Sequence, residues 1–309
     1  MLAVVFPGQG AQKVGMSADF ADRYPEARAV LEAADEAFGG PLSEWIRQGP
    51  EDRLRRTEVT QPAVLAASVA VYRVLEPKLP LAPAFFAGHS LGEYTALVAA
   101  GALELGDAIR LVRMRGALMQ EAVPEGEGAM LAVLGLPAQE VEQLCTELGG
   151  VYPANYNAPG QTVIAGQRAR VEQAAERLRG LRARVIPLDV SAPFHCPLMA
   201  QARDQLAIRL KEAPFRPPVA PVVSNASARP YQTPEDARQL LREQVCAPVR
   251  WIESVQWLVQ EGVRVQLEVG PGSVLTGLAA RIDRKLERIQ VSTVDQIDAT
   301  LERLHEVLA

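Results

Sequence analysis

Residues 84–97 place the tightest limit on the fold this chain can adopt. An apolar run, Ala84-Phe85-Phe86-Ala87, enters Gly88-His89-Ser90-Leu91-Gly92, and a helix-forming stretch follows without a spacer. A Gly-x-Ser-x-Gly sequence between a strand and a helix is the setting of a nucleophile elbow. The turn lifts the Ser90 hydroxyl clear of the backbone, and the two glycines let strand and helix pack closely beneath it. The helix start also offers unpaired N–H groups to an oxyanion forming at Ser90. A glycine-bounded turn with a capping serine is the competing structural reading.

Around this turn the chain reads as alternating strands and helices. A strand at Ala3–Phe6 precedes helical segments to about Phe38, and a helix opens at Thr60-Gln61-Pro62. Further helices are predicted over 91–103 and 106–121, with later strands at Pro221–Ser224, Arg264–Val269 and Ile289–Thr293. Strands spaced by helices predict an α/β fold, a mostly parallel sheet covered by helices. The middle has another rhythm. Strand Ala129–Gly135, helix Pro137–Leu148, strands Val151–Asn155 and Gln161–Gly166, helix Arg168–Arg179 and strand Arg184–Val190 follow in order. That β-α-β-β-α-β order predicts an inserted ferredoxin-like α+β subdomain. Prolines near its ends set the expected boundaries. Residues 125–191 form the small subdomain, and 1–124 with 192–309 form the large α/β domain.

Composition narrows the function classes. A 309-residue chain with 48% hydrophobic and 22% charged residues is globular and long enough to bury a large core. Its formal charge of −5 argues against general nucleic-acid affinity. Cys145, Cys196 and Cys246 lack metal-site spacing and read as reduced thiols. No stretch approaches the ~18 apolar residues of a membrane helix. The opening Met1-Leu2-Ala3-Val4-Val5-Phe6 reads as a first strand with no basic leader, so a cytoplasmic location is expected.

A serine nucleophile needs a base, and the chain has three histidines. His305 belongs to an amphipathic terminal helix. His89 adjoins Ser90, and successive strand side chains point to opposite faces. His195, in the proline-flanked junction Pro193-Phe194-His195-Cys196-Pro197, is left as the candidate. Cys196 beside it reads as a small buried residue. Asp189 is near His195 in sequence, but periodicity gives no reason for it to orient the ring. A backbone carbonyl could serve instead, because holding the imidazole tautomer needs only an acceptor.

A second glycine turn, Phe6-Pro7-Gly8-Gln9-Gly10-Ala11-Gln12, also follows a strand. Lys13 stands where a dinucleotide fingerprint needs its third glycine, and no Gly-Lys-Ser/Thr follows. The loop suits an oxyanion hole instead. Gly270-Pro271-Gly272 reads as a structural turn.

Taken together, these segments resemble the malonyl-CoA:acyl carrier protein transacylases. The resemblance runs through Phe6–Gln12, Thr60–Ala63, Gly88–Tyr94, Arg113–Gln120, Asn155–Gln161, Pro193–His195, Pro248–Trp251 and Glu268–Gly272, in order and over nearly the whole chain. It implies Ser90 as nucleophile and His195 as general base and acid. It further implies an oxyanion hole from the N–H groups of Gln9 and Leu91, and Arg115 as the ligand of a malonyl carboxylate. A main-chain carbonyl at Arg250 is implied to orient the histidine. Gln61 would line the pocket, and Asn157 would support the wall between domains. Phe194 would narrow the space at the malonyl α-carbon, the competing reading being a packed residue at the domain seam. The implied partners are malonyl-CoA and holo acyl carrier protein, with no cofactor, no metal, no nucleic acid and no membrane. Arg281, Arg284, Lys285 and Arg288 form a candidate landing surface for an acidic carrier. The main rival is a serine esterase or thioesterase, with water as acceptor. The chain lacks the His-Gly-Gly-Gly segment and late triad histidine of such enzymes.

Overall fold

The computed structural model describes residues 1–190 and 192–308. The expected domain boundary at Ser191 and the chain end at Ala309 lie outside the described residues. Among the described residues, strands β1 (Leu2–Phe6), β2 (Phe85–Gly88), β7 (Val222–Val223), β8 (Val265–Val269) and β9 (Glu287–Val291) form one sheet. Its order is β7-β2-β1-β8-β9, and every pairing is parallel. All five β1 residues, Leu-Ala-Val-Val-Phe, are buried, as a central strand covered on both faces requires.

The remaining strands, β3 (Gly128–Leu134), β4 (Val151–Ala158), β5 (Gln161–Gln167) and β6 (Arg184–Pro187), form a second sheet. Its order is β4-β5-β3-β6, antiparallel throughout, with helices Ala138–Leu148 and Arg168–Gly180 in the connections. This is the ferredoxin-like arrangement that the element order predicts.

Several elements differ in extent from the sequence pattern. The helix expected to open at Thr60 begins at Thr57 and carries Pro62 inside it. Strand β6 stops at Pro187, and the segment to Val190 is irregular. Helix Gly92–Ala99 is shorter than the expected 91–103, closing where Gly101 turns with positive φ.

Two parallel strands end side by side, β1 at Phe6 and β2 at Gly88. Ligands of parallel α/β sheets gather beyond such carboxyl ends. A Cβ on Gly88 would sit 1.9 Å from the Gly92 oxygen, and one on Gly92 would sit 2.2 Å from the Phe6 oxygen. The two elbow glycines therefore permit strand, turn and helix to approach at a distance no side chain would allow.

Candidate active site

Ser90 follows β2 directly and is held at φ 52, a left-handed conformation that non-glycine residues adopt at a cost of about 1–3 kcal/mol. His195 has the same kind of backbone, with φ 57. The fold brings them together across 105 residues. Ser90 Oγ lies 2.7 Å from His195 Nε2. His195 Nδ1 lies 2.8 Å from the main-chain oxygen of Gln244. That carbonyl only accepts, so Nδ1 carries the ring proton and Nε2 is free to accept from Ser90. Burial, reinforced by the Arg115 charge, pushes His195 down to about 3, leaving the ring neutral at pH 7.

The orienting carbonyl thus corrects the expectation at Arg250. The Arg250 oxygen accepts instead from the Ser254 N–H and hydroxyl, starting helix Trp251–Gln260. Gln244 is the final residue of helix Pro234–Gln244, and the last carbonyls of a helix have no partner within it. The imidazole takes one of these open acceptors.

Arg115 is only 1% exposed. Helix Leu105–Glu121 reaches this depth because Gly116 rides on the start of helix Thr57–Leu75, where a Cβ would fall 2.6 Å from the Thr57 oxygen. The guanidinium donates to Gln61 Oε1 at 2.7 Å, Gln244 Oε1 at 2.9 Å and Ser90 Oγ at 3.1 Å. Its Nε is buried without a partner. Among the described residues no carboxylate forms an ion pair with it. Burial lowers its pKa below the usual arginine value, yet guanidinium stays charged in proteins. A buried cation satisfied only by neutral acceptors is an opening for an anionic ligand.

Ser90, His195, Arg115, Gln61, Gln9 and Phe194 share the wall of a cavity of about 110 Å³. Leu188, Val190 and Gln9 also border an outer cavity of about 640 Å³, which Gln12, Arg55 and Arg168 face. Among the described residues, the N–H groups of Gln9 and Leu91 have no hydrogen-bond acceptor. The Ser90 N–H donates to Asn225 Oδ1 at 2.6 Å.

Asn157 does not line the cavity but bridges the two sheets. Its Oδ1 meets His89 Nε2 at 2.8 Å, tying the elbow to β4, while Asn155 lines the cavity. On a regular strand residues two apart share a face, and the register shifts between Pro153 and Asn155 and between Tyr156 and Ala158 break that rule in β4. Cys196 is fully buried with its thiol pushed up to about 12, and His305 is exposed on helix Ile297–Leu308. Asp189 pairs with Arg55 instead of approaching His195. Of the basic cluster, Arg281 bonds Gln161 and Pro159, and Arg288 bonds main-chain oxygens of its own segment.

A serine hydroxyl bonded to an imidazole, with a buried cation that has no carboxylate partner among the described residues, is an arrangement suited to acyl transfer. The acyl transferase domain family matches residues 3–296. The chain belongs to the acyl transferase family. Within it, the chain is 48% identical over 307 residues to the malonyl CoA-acyl carrier protein transacylase of Haemophilus influenzae, covering 98% of each chain. The crystal structure of an acyl carrier protein S-malonyltransferase from Vibrio cholerae superposes with a TM-score of 0.94 at 45% identity, covering 96% of this chain and 99% of that one. A malonyl-transacylase in complex with the acyl-carrier protein of a type II polyketide synthase superposes at 0.95 and 45% identity, covering 98% and 99%. The acyl transferase fold therefore extends over both sheets. No metal-binding cluster of His, Cys, Asp and Glu occurs among the described residues, and no helix there is long and apolar enough to cross a membrane.

Proposed function

We propose that this acyltransferase moves a malonyl group from malonyl-CoA to the phosphopantetheine thiol of acyl carrier protein in fatty acid synthesis. The observation that carries the reading is Arg115, a buried guanidinium without a carboxylate partner, 3.1 Å from the Ser90 hydroxyl. A lipase or simple esterase has no use for such a charge, whereas a malonyl group brings a free carboxylate to within reach of the attacked carbonyl. The inner cavity has room for a short acyl group, and the wider outer one suits the pantetheine arm.

His195 Nε2 takes the Ser90 proton as Oγ attacks the thioester carbonyl. The N–H groups of Gln9 and Leu91 receive the oxyanion. The C–S bond breaks, coenzyme A leaves with the proton from His195, and a malonyl ester remains on Ser90. The carrier thiol then gives its proton to His195 and attacks the ester, which returns Ser90 to its hydroxyl. Gln61 holds Arg115 in place, and Phe194 narrows the chamber at the malonyl α-carbon. The cysteines are free thiols, which fits a reducing compartment, and we place the reaction in the cytoplasm.

The test compares malonyl-CoA with acetyl-CoA in the wild type and in Arg115→Ala, with mass spectrometry of the Ser90 peptide. A charge-assisted hydrogen bond is worth about 1.5–3 kcal/mol, so preference for malonyl should fall by one to two orders of magnitude. Equal losses on both substrates would remove Arg115 from carboxylate recognition. Hydrolysis without transfer to holo carrier would make the protein a thioesterase.

A further inference from the structure

Glu93 lies directly behind the elbow, in the first turn of helix Gly92–Ala99, and is completely buried. Three donors meet its carboxylate: the Tyr231 hydroxyl, the Asn225 N–H at 2.9 Å and Gln244 Nε2 at 2.6 Å. Each leads elsewhere. Asn225 accepts the Ser90 N–H through Oδ1 and donates to the Gly88 oxygen at 2.7 Å. Gln244 donates its second amide hydrogen to the Ser90 oxygen at 3.0 Å and turns Oε1 toward Arg115. One carboxylate therefore joins the nucleophile turn to segments more than 130 residues away.

The chemistry of Gln244 makes this more than packing. An amide presents a carbonyl on one side and an NH2 on the other, and neighbours decide which way it faces. Glu93 Oε2 and the Ser90 oxygen are both acceptors, and they claim the NH2. Only then does the carbonyl face the guanidinium. Without Glu93 only the Ser90 oxygen, at 3.0 Å, still claims the NH2, and a turned amide sets an NH2 against Arg115, a donor against donors. The main-chain oxygen of Gln244, which holds His195, does not depend on that turn.

We propose that Glu93 is a positioning residue that orients the Gln244 amide and thereby aims Arg115 at the acyl carboxylate, setting acyl selectivity separately from catalysis by Ser90 and His195. This rests on the malonyl-transfer reading above. Its mark is a split in the kinetic constants. Glu93→Met keeps volume but removes the nearer of the two acceptors that hold the amide NH2. KM for malonyl-CoA should rise about tenfold, the effect of one misdirected hydrogen bond to a charged group. KM for acetyl-CoA should stay within about twofold of wild type, since that substrate has no carboxylate for Arg115 to receive.

Glu93→Gln should restore selectivity. Its carbonyl can take the Oε2 position and its NH2 can face the Tyr231 oxygen, so the Gln244 amide keeps its direction. Should Glu93→Met not accumulate as folded protein, Gln244→Met removes the same amide from the other side and should give the same malonyl-specific rise. Wild-type protein assayed alongside separates the two claims, because a wild type inactive on malonyl-CoA sinks the functional reading itself. With an active wild type, a Glu93→Met enzyme that melts earlier but keeps both KM values overturns the proposal. So does a Glu93→Gln enzyme as unselective as Glu93→Met.

Discussion

Ser90 and His195 share an unusual positive φ, yet they differ in how much of their setting is local. The path of the Ser90 turn is set mainly by strand β2, Gly88, Gly92 and the helix that follows, while Asn225 and Gln244 bond its main chain from distant segments. His195 sits in an irregular junction between the two sheets, and its ring is fixed by an oxygen 49 residues further along. The shape of the elbow is written in local sequence, whereas the orientation of the imidazole depends on tertiary structure alone. The comparison explains why one motif is easily read and its partner is found only by elimination.

The largest expected effect asks whether the two halves form one unit. Ser90→Ala and His195→Ala should each reduce kcat by about 10⁶-fold, by analogy with serine hydrolases. The double variant should be no worse than either alone. If measured losses multiply, nucleophile and base act independently and the proposed proton transfer between them is wrong.

Next comes the local half by itself. Gly88→Ala places a methyl group 1.9 Å from a main-chain oxygen, and backbone at both sides has no room to yield. Stability to denaturant should drop by more than about 4 kcal/mol, among the most severe single substitutions. A variant with near-wild-type unfolding would show that the elbow is looser than its packing indicates.

The smallest effect, at mildly acidic pH, probes the tertiary half through protonation. His195 is pushed to about 3 in the fold against 6.5 in an exposed ring. Below 6.5 the unfolded chain binds a proton that the folded chain refuses. The contribution is therefore complete above pH 6.5 and is lost as pH falls toward 3, by about 1.4 kcal/mol per unit. His195→Gln should flatten the pH dependence of unfolding free energy in that window. In the wild type, the acid limb of acyl-enzyme formation should lie below pH 5. A limb at 6.5 would mean that the ring is hydrated and the site open.

Legibility in the sequence follows the same division. Periodicity gives the parallel sheet and the ferredoxin-like insert because each depends on patterns a few residues long. It misjudges β6, whose apolar character continues through Leu188 and Val190 into the cavity wall instead of into a strand. Arg115 is indistinguishable by pattern from Arg110 and Arg113 on the same helix, and only the family resemblance singles it out. Glu93 reads as an ordinary acid in a first helical turn, a position that usually faces water. Gln244 leaves a faint trace, as the end of an amphipathic helix shortly before Pro248. What the sequence does not display is that, among the described residues, no main-chain N–H takes the Gln244 carbonyl.

That open carbonyl has a consequence for how such a protein can evolve. Every amino acid possesses the atom on which the imidazole leans, so no exchange of one residue type for another at position 244 deletes it. What matters is where the spiral stops. A single inserted or lost residue near 244 would swing the oxygen by about 100° and carry it away from the ring. For the support of the ring, the letters of this stretch matter less than their number.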